Sequence, residues 1–208
     1  YTHIAADPAA ASVFNRAMVE LTQLVAGEFL RHYDCSALRR IVDVGGGHGA
    51  LLSTILNAHP QIHGVLYDLP HAIDSTRTQL ANSALRTRME CIAGSFFDSV
   101  PAGADLYLLK SVLHNWDDTQ AAIILGHCRR AMPAAARLVV IERMMPAHMQ
   151  GTGRERAAAR TDLNMMVGLG GRERTDAELA ALLHNAGLQI AQSRPLGPEY
   201  MLIECVCA

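Results

Sequence analysis

The sequence has no surplus of positive charge, since 18 lysine and arginine residues face 20 acidic residues. Without such a surplus, nucleic acid and anionic membranes are not expected partners, and a small neutral ligand fits better. Long hydrophobic runs are missing too, because no apolar stretch reaches the roughly 18 residues that a membrane span requires. We therefore expect a soluble, cytoplasmic protein that recognises a small molecule.

Paired cysteines are also absent, which argues against a CxxC zinc site and against a disulfide framework. The five cysteines are scattered along the chain and are interpreted as buried or free thiols of a reducing cytosol. A signal peptide and an initiating methionine are likewise missing, because the chain starts at Tyr1 in ordinary sequence. We therefore expect the chain to be a piece of a longer protein.

Hydrophobic residues, by contrast, make up 50% of the 208 positions, which suits one well-buried domain. Residues 8–31 carry apolar side chains at helical spacing and predict an amphipathic helix ahead of the first strand. That helix could pack on this domain or on a preceding one. The residues that set the spacing are Phe14, Met18, Leu21, Val25 and Phe29.

After this helix, short runs rich in valine, isoleucine and leucine alternate with longer helical patterns. Buried strands joined by right-handed helical crossovers form an open, mostly parallel sheet of the α/β class. A ligand would then bind at the carboxyl ends of the strands. The predicted strands are 40–44, 64–67, 89–93, 106–109 and 138–141, and the predicted helices are 50–58, 71–82 and 119–132.

The last third of the chain follows a different pattern. Thr175 and Glu178 have the spacing of a capping box, which predicts the start of a helix, and Gly187 would end it. Two further apolar runs predict a terminal β-hairpin. The expected elements are a loop at 151–154, a helix at 156–167, a glycine break at 168–171, and hairpin strands at 188–193 and 200–206 around a turn at 195–198.

A glycine-rich segment, DVGGGHG at residues 43–49, ends the first predicted strand and opens the next helix. Glycine lets the backbone turn sharply there and approach a ligand without a Cβ in the way. Asp68 closes the second predicted strand, where a carboxylate can accept hydrogen bonds from both ribose hydroxyls of an adenosine. Together these features predict an adenosine-binding site.

The glycine segment alone leaves the cofactor open. Gly45-x-Gly47-x-x-Ala50 satisfies a loose dinucleotide fingerprint, which would indicate an NAD(P)-dependent oxidoreductase. Asp43-x-Gly45-x-Gly47-x-Gly49 is the form found in methyltransferases, where the loop packs against the amino-acid end of the cofactor. A glycine turn that serves packing alone is a third interpretation.

Four blocks of sequence narrow this choice: YDLP at 67–70, LLKSVLHNWDD at 108–118, VIE at 140–142 and GGRERT at 170–175. In order and spacing they resemble the plant-type and bacterial small-molecule O-methyltransferases, the family of caffeic acid O-methyltransferase. The resemblance covers essentially the whole chain. It implies a Rossmann-like class I methyltransferase fold, with a seven-stranded, mostly parallel sheet that ends in an antiparallel hairpin.

The same resemblance implies how the chain is divided. Family members carry an N-terminal domain that dimerises and closes the acceptor pocket, and this chain starts just after it. Residues 1–33 are then a helical segment leading from that missing domain, and residues 34–208 form the catalytic domain that binds S-adenosylmethionine. We expect the full-length protein to be a homodimer, whereas the fragment alone could be monomeric.

Individual residues take their implied roles from the family blocks. His114 matches the family's general base, and Glu142 and Glu173 match the two acidic residues that flank it and complete the catalytic set. As simpler alternatives, Glu142 could pair with Arg143 or Arg174 on the surface, and Glu173 could lie in a solvated helix entry. The implied cofactor contacts are Gly45, Asp68, Ser95, Phe96 and, less directly, Lys110.

One of these contacts departs from the family, because plant members usually carry aspartate where Ser95 stands. On the adenine side of the cofactor, the Ser95 hydroxyl would then take the place of the carboxylate as the hydrogen-bond partner. Trp116 and the methionines have core packing as their simpler interpretation. The implied residues of the acceptor pocket are Asp162, Met165 and Met166.

The implied reaction moves a methyl group from S-adenosylmethionine to a hydroxyl of a small aromatic secondary metabolite and releases S-adenosylhomocysteine. A histidine suits removal of the hydroxyl proton, because its ordinary pKa of about 6.5 leaves neutral imidazole near pH 7. No metal is needed, so we expect activity in the presence of EDTA. An NAD(P)-dependent oxidoreductase and a non-catalytic binding module that keeps the cofactor fold are the alternatives.

Overall fold

The structure is a computed structural model that describes the backbone of residues 8–208 and the side chains of residues 19–208 apart from residue 154. Residues 1–7 and the side chains of Phe14 and Met18 lie outside the described residues. No helix in the described part of the chain is both long enough and apolar enough to cross a membrane.

The predicted alternation of strands and helices is confirmed over the described residues. The helices are α1 (Pro8–His32), α2 (Ala50–Ala58), α3 (Pro70–Leu80), α4 (Asp118–Ala131), α5 (Gly153–Leu169) and α6 (Asp176–Asn185). The strands are β1 (Arg40–Val44), β2 (His63–Asp68), β3 (Met89–Ala93), β4 (Leu106–Lys110), β5 (Arg137–Arg143), β6 (Leu188–Leu196) and β7 (Tyr200–Cys207). Short 3₁₀ turns occupy Ala84–Thr87 and Leu113–Asn115.

All seven strands belong to one sheet in the order β3-β2-β1-β4-β5-β7-β6. The strands from β1 to β5 are parallel, and β7 runs antiparallel between β5 and β6. This confirms the predicted mostly parallel sheet with a terminal antiparallel hairpin. The strand order reverses between β1 and β4, which is where open α/β sheets bind ligands beyond the carboxyl ends of their strands.

Both faces of the sheet are covered by helices, so its central strands are apolar throughout. In β4, Leu106 and Leu108 pack against α1 and α2, whereas Tyr107 and Leu109 pack against α4 and α6. All four side chains are fully buried. Burial of one such leucine stabilises the fold by about 2 kcal/mol, which explains why the strand reads as an unbroken hydrophobic run.

The C-terminal half of helix α1 packs on this domain. Val25, Ala26 and Phe29 lie in the same apolar cluster as Leu52 and Ile55 of α2. Phe29 is fully buried and stacks on Tyr33 with ring centroids 4.9 Å apart. The C-terminal half of α1 is therefore an integral part of the fold.

Two local expectations in the last third of the chain were wrong. Helix α5 begins at Gly153, inside the expected loop 151–154, because Thr152 and Glu155 form a capping box that starts the helix early. The hairpin turn spans residues 197–199 rather than 195–198, since Pro195 still pairs with Met201. Strand β6 is an edge strand, where proline is tolerated.

The other helix boundary in this region was predicted correctly. The Thr175 side chain accepts a hydrogen bond from the backbone N–H of Glu178, and the Glu178 side chain accepts one from Thr175 in return. Gly187 follows α6 with a φ of 75°, the left-handed conformation that favours glycine after a helix. This helix start places the preceding loop, residues 170–174, against the carboxyl edge of the sheet.

Candidate active site

The glycine loop after β1 adopts a conformation that other residues would strain. Gly45, Gly47 and Gly49 have φ values of 69°, 58° and 72°, in the left-handed region. A Cβ added to Gly46 would lie 2.5 Å from Oδ2 of Asp43, too close for any side chain. The loop therefore forms an open backbone cradle between β1 and α2, as predicted.

Asp68 lies directly against this cradle, although 21 positions separate it from the loop residue that it contacts. Its Oδ2 accepts a hydrogen bond of 2.7 Å from the N–H of Gly47, and its Oδ1 accepts one of 2.7 Å from Leu69. An ionised carboxylate has about four acceptor positions, so capacity for two ribose hydroxyls remains. The structure thus brings together the two halves of the predicted adenosine site.

Asp43 is a candidate site residue to which sequence reasoning assigned no role. It is 1% exposed, its Oδ2 accepts no hydrogen bond among the described residues, and burial raises its pKa to about 7. The charge of Lys110 opposes this shift, and that of Asp68 adds to it. Its place at the head of the D-x-G-x-G-x-G pattern was the available signal. A buried acceptor without a partner indicates a place for a ligand donor or cation.

The other predicted cofactor contacts lie at the same edge of the sheet. Phe96 packs over the loop, because a Cβ on Gly45 would lie 3.3 Å from its ring. The Ser95 hydroxyl accepts a hydrogen bond of 3.2 Å from Phe97 and thereby caps the turn after β3. Trp116 packs edge-on against Phe97, with ring centroids 4.7 Å apart, which agrees with its packing interpretation.

Lys110, at the end of β4, connects the loop to the N-terminal helix. Its Nζ donates a hydrogen bond of 3.0 Å to Oγ1 of Thr22 in α1. Burial lowers the pKa of Lys110, and the charges of Asp43 and Glu142 oppose that shift. Lys110 therefore lies beside the cradle, where its charge balances the buried carboxylate of Asp43.

The chain turns sharply after β4 to present His114. Ser111 has a φ of 54° and is the one non-glycine residue with a positive φ among the described residues. The next two N–H groups, of Val112 and Leu113, both donate to Oε1 of Glu142, at 3.0 and 2.8 Å. Successive N–H groups of this kind form a nest that holds an anion. The turn that carries His114 therefore also holds Glu142 close to the histidine ring.

His114 is 9% exposed and faces two carboxylates with one ring nitrogen. Its Nδ1 lies 3.1 Å from Oε1 of Glu173 and 3.6 Å from Oε2 of Glu142. No hydrogen bond of Nε2 occurs within the described part of the chain. With Nδ1 held by Glu173, the neutral ring carries its proton on Nδ1 and offers the lone pair of Nε2 as a base.

The pKa values in this cluster follow from burial and from like and opposite charges. Burial lowers the pKa of His114, but the charge of Glu142 and the hydrogen bond and charge of Glu173 outweigh it, so the net shift is upward. Burial raises the pKa of Glu142 despite the opposing charge of His114. The cluster thus favours the imidazolium that forms when His114 accepts a proton.

The alternative interpretations of the two glutamates do not hold. Arg143 pairs with Glu199 at 2.8 Å rather than with Glu142. Glu142 is 3% exposed and Glu173 is 5% exposed, so neither lies in a solvated surface network. Arg174 pairs with Asp118 at 2.9 Å. Both carboxylates face the interior beside His114.

Beside His114 lies an open pocket of about 570 Å³, which Glu173 helps to line. Asp162 and Met166 of α5 line it, and Oδ1 of Asp162 also accepts a hydrogen bond of 2.8 Å from the N–H of Glu173. Met165 is half-buried and is not among the described lining residues. The further lining residues include Met145, Pro146, Gly171 and Arg172.

A family model and several known proteins match this chain over most of its length. A family model described as "O-methyltransferase domain" matches residues 1–189. The mitomycin biosynthesis 6-O-methyltransferase of Streptomyces lavendulae is 40% identical over 194 residues, which cover 92% of this chain and 53% of that protein. The aclacinomycin 10-hydroxylase RdmB of Streptomyces purpurascens is 39% identical over 166 residues, 79% of this chain and 44% of that protein.

A solved structure supports the fold. The O-methyltransferase NcsB1 of neocarzinostatin biosynthesis, in complex with S-adenosylmethionine and 2-hydroxy-5-methyl naphthoic acid, superposes with a TM-score of 0.85 at 33% identity. The match covers 100% of this chain and 60% of that protein. The chain thus spans less than two thirds of the length of these relatives.

Proposed function

The chain belongs to the O-methyltransferase domain family, and from this premise we propose that it methylates a hydroxyl of a small aromatic secondary metabolite with S-adenosylmethionine. The observation that carries the proposal is the contact of His114 Nδ1 with Glu173 and Glu142, at 3.1 and 3.6 Å, beyond the end of β4. The proposal is further supported by Glu173, which holds the His114 ring and also lines the open pocket.

The residues at the cradle fit the cofactor. The glycine loop leaves open space at Gly47, where a Cβ would meet no atom within 4 Å. Asp68 keeps acceptor capacity for a ribose, and Asp43 offers a buried oxygen that has no partner among the described residues. We assign the cofactor contacts to these residues together with Gly45, Ser95, Phe96 and, through its charge, Lys110. When bound, S-adenosylmethionine supplies a methyl group already activated by its sulfonium.

The chain itself positions the acceptor and removes its proton. Nε2 of His114 accepts the proton of the acceptor hydroxyl while Nδ1–H donates to Oε1 of Glu173. Glu142 stabilises the resulting imidazolium through its charge, and two backbone N–H groups hold its other oxygen. Asp162, Met165 and Met166 are proposed to contact the acceptor, for which methionine provides an adaptable surface.

The two alternatives make different predictions. An NAD(P)-dependent oxidoreductase is not favoured by the family match and would bind NADH. A relative named as a hydroxylase has the same domain, so family membership alone does not establish methyl transfer. A non-catalytic module would have no use for a buried imidazole held by two carboxylates, since burial of three ionisable groups costs stability.

We further propose that residues 1–33 lead from an N-terminal dimerisation domain and that residues 34–208, with the C-terminal half of α1 packed on them, form the catalytic domain of a cytoplasmic homodimer. Apolar side chains exposed on α1 and α5 support this, because a preceding domain or a partner would cover them. Leu24 is 73% exposed, and Leu163 and Val167 are 59% and 88% exposed. Light scattering of the full-length protein measures its oligomeric state directly.

Calorimetric titration with S-adenosylmethionine, S-adenosylhomocysteine and NADH tests the cofactor, with Asp68→Ala as the matched variant. We expect the first two to bind, NADH not to bind, and Asp68→Ala to lose binding. Transfer of a labelled methyl group to a panel of phenols, with His114→Ala as control, then tests the reaction. Binding of NADH alone would refute the proposal.

A further inference from the structure

The turn that carries His114 is held by an arginine from the loop before α6. Nη1 of Arg174 donates a hydrogen bond of 2.8 Å to the carbonyl of Leu113, and Nη2 donates one of 2.8 Å to the carbonyl of Trp116. Its Nε donates to Oδ1 of Asp118 at 2.9 Å. One guanidinium therefore binds the backbone on both sides of the histidine and the first residue of α4.

Arg174 is 4% exposed, and a buried guanidinium is costly unless its donors are satisfied. The geometry uses all three of its nitrogens in one plane, which lysine could not reproduce because an ammonium is a compact point charge. Arg172, two residues earlier, also binds Asp118, but its side chain is 39% exposed and its second partner is Glu178 of α6 rather than the backbone of the turn. The placement of Arg174 is therefore specific to the His114 turn.

The rest of the loop fits against the same turn. A Cβ on Gly171 would overlap the carbonyl oxygen of His114 and the peptide of Asn115, so the backbones are in direct contact there. Glu173 contacts the His114 ring, and the carbonyl of Arg174 accepts a hydrogen bond of 2.9 Å from Met145, just beyond β5. One loop thus contacts both the ring and the backbone of the histidine.

We propose that Arg174 is a positioning residue for catalysis, which holds the His114 turn so that Nδ1 stays on Glu173 and Nε2 faces the acceptor. This rests on the proposed methyl transfer. Arg174 is not among the described residues that line the open pocket. It acts through the backbone of residues 113–116, whose displacement by about 1 Å would misalign the base and slow the reaction about a hundredfold.

The test compares Arg174→Gln and Arg174→Lys with Arg88→Gln in the full-length protein. Arg88 is a matched control, because its Nη1 also donates to three carbonyls, those of Leu56 in the last turn of α2 and of His59 and Ile62 after it, which lie away from the His114 turn in the sequence. We expect Arg174→Gln to lose kcat about a hundredfold, with the Kd of S-adenosylmethionine and the KM of the acceptor changed by less than about twofold. Arg174→Lys should recover only part of this loss, and Arg88→Gln should lower the melting temperature alone.

Nuclear magnetic resonance of histidine-labelled protein gives a second readout that does not depend on turnover. We expect the pKa of His114 to fall toward about 6.5 in Arg174→Gln, because its bond to Glu173 loosens. If Arg174→Gln does not fold, the same measurements are made on Arg174→Lys. They are also made on Gly171→Ala, because the added Cβ would displace the same turn.

The two proposals fail in different ways. Absence of methyl transfer by the wild-type protein overturns the proposed function, and the resonance experiment still decides the position of His114. An unchanged kcat and an unchanged His114 pKa in the folded Arg174 variants overturn the positioning role. A hundredfold loss of kcat in Arg88→Gln would equally overturn it, because the effect would then be one of general destabilisation.

Discussion

Nδ1 of His114 lies 3.1 Å from Oε1 of Glu173, although 59 positions separate the two residues in the chain. The histidine follows β4, and the glutamate lies in the loop between α5 and α6. The loop reaches the histidine because it pairs with the chain just beyond β5, where the N–H of Met145 donates to the carbonyl of Arg174. In the proposed reaction, this contact decides which ring nitrogen carries the proton.

His114→Gln is expected to lower kcat by about a hundredfold to ten-thousandfold, the range that a positioned general base contributes. The side chain is of similar size but has no basic nitrogen. Calorimetry should show an unchanged affinity for S-adenosylmethionine, since His114 lies outside the cradle. A kcat close to that of the wild type would show that another group removes the proton.

The rate should depend on pH through a pKa above the ordinary histidine value. The carboxylates raise the pKa of His114, and only the neutral ring is a base, so kcat/KM should rise with pH through an inflection above about 6.5. Glu173→Gln removes a charge and a strong acceptor and should move that inflection to lower pH. The measurement is a pH profile from about 5 to 9 at saturating cofactor. An inflection that stays in place in Glu173→Gln would contradict this account.

Asp43 should make folding stability fall as pH rises. Burial raises its pKa from 3.8 to about 7, so the folded state keeps a proton that the unfolded state releases between these values. Stability is therefore lost as pH increases from about 4 to about 7, by up to a few kcal/mol. Asp43→Asn removes this dependence.

The measurement for Asp43 is thermal unfolding at a series of pH values, read as the difference between wild type and Asp43→Asn. We expect the wild type to lose stability relative to Asp43→Asn as pH rises. The same variant should bind S-adenosylmethionine more weakly, because it lacks the negative charge. A difference that is flat with pH would mean that Asp43 ionises as readily in the folded state as in the unfolded one.

Removal of divalent metal should leave the activity intact. His114, Glu142 and Glu173 could in principle hold an ion, since their ligand atoms all lie within 4.8 Å of one another. Two N–H groups already occupy Oε1 of Glu142, and Glu173 already binds Nδ1 of the ring. We expect kcat after dialysis against EDTA to equal that of untreated enzyme. A loss restored by added Mg²⁺ or Zn²⁺ would assign the cluster to a metal.

Sequence patterns predicted most of the fold because each helix or strand leaves its mark on the residues within it. Buried strands read as apolar runs, and the Thr175–Glu178 capping box marks a helix start that needs no tertiary information. The misses were local as well. The capping box of Thr152 and Glu155 went unrecognised, and the role of Pro195 depended on whether its strand lies at the sheet edge.

By itself, the sequence determined the class of fold, the glycine cradle with Asp68, and the family blocks that single out His114 and its two glutamates. Only the tertiary structure decided that Asp43 is buried with no hydrogen-bond partner at Oδ2 among the described residues, that two backbone N–H groups hold Glu142, and that Arg174 holds the turn. These features depend on distances between elements far apart in the chain. Burial and charge there come from the packed neighbours, which no local pattern encodes.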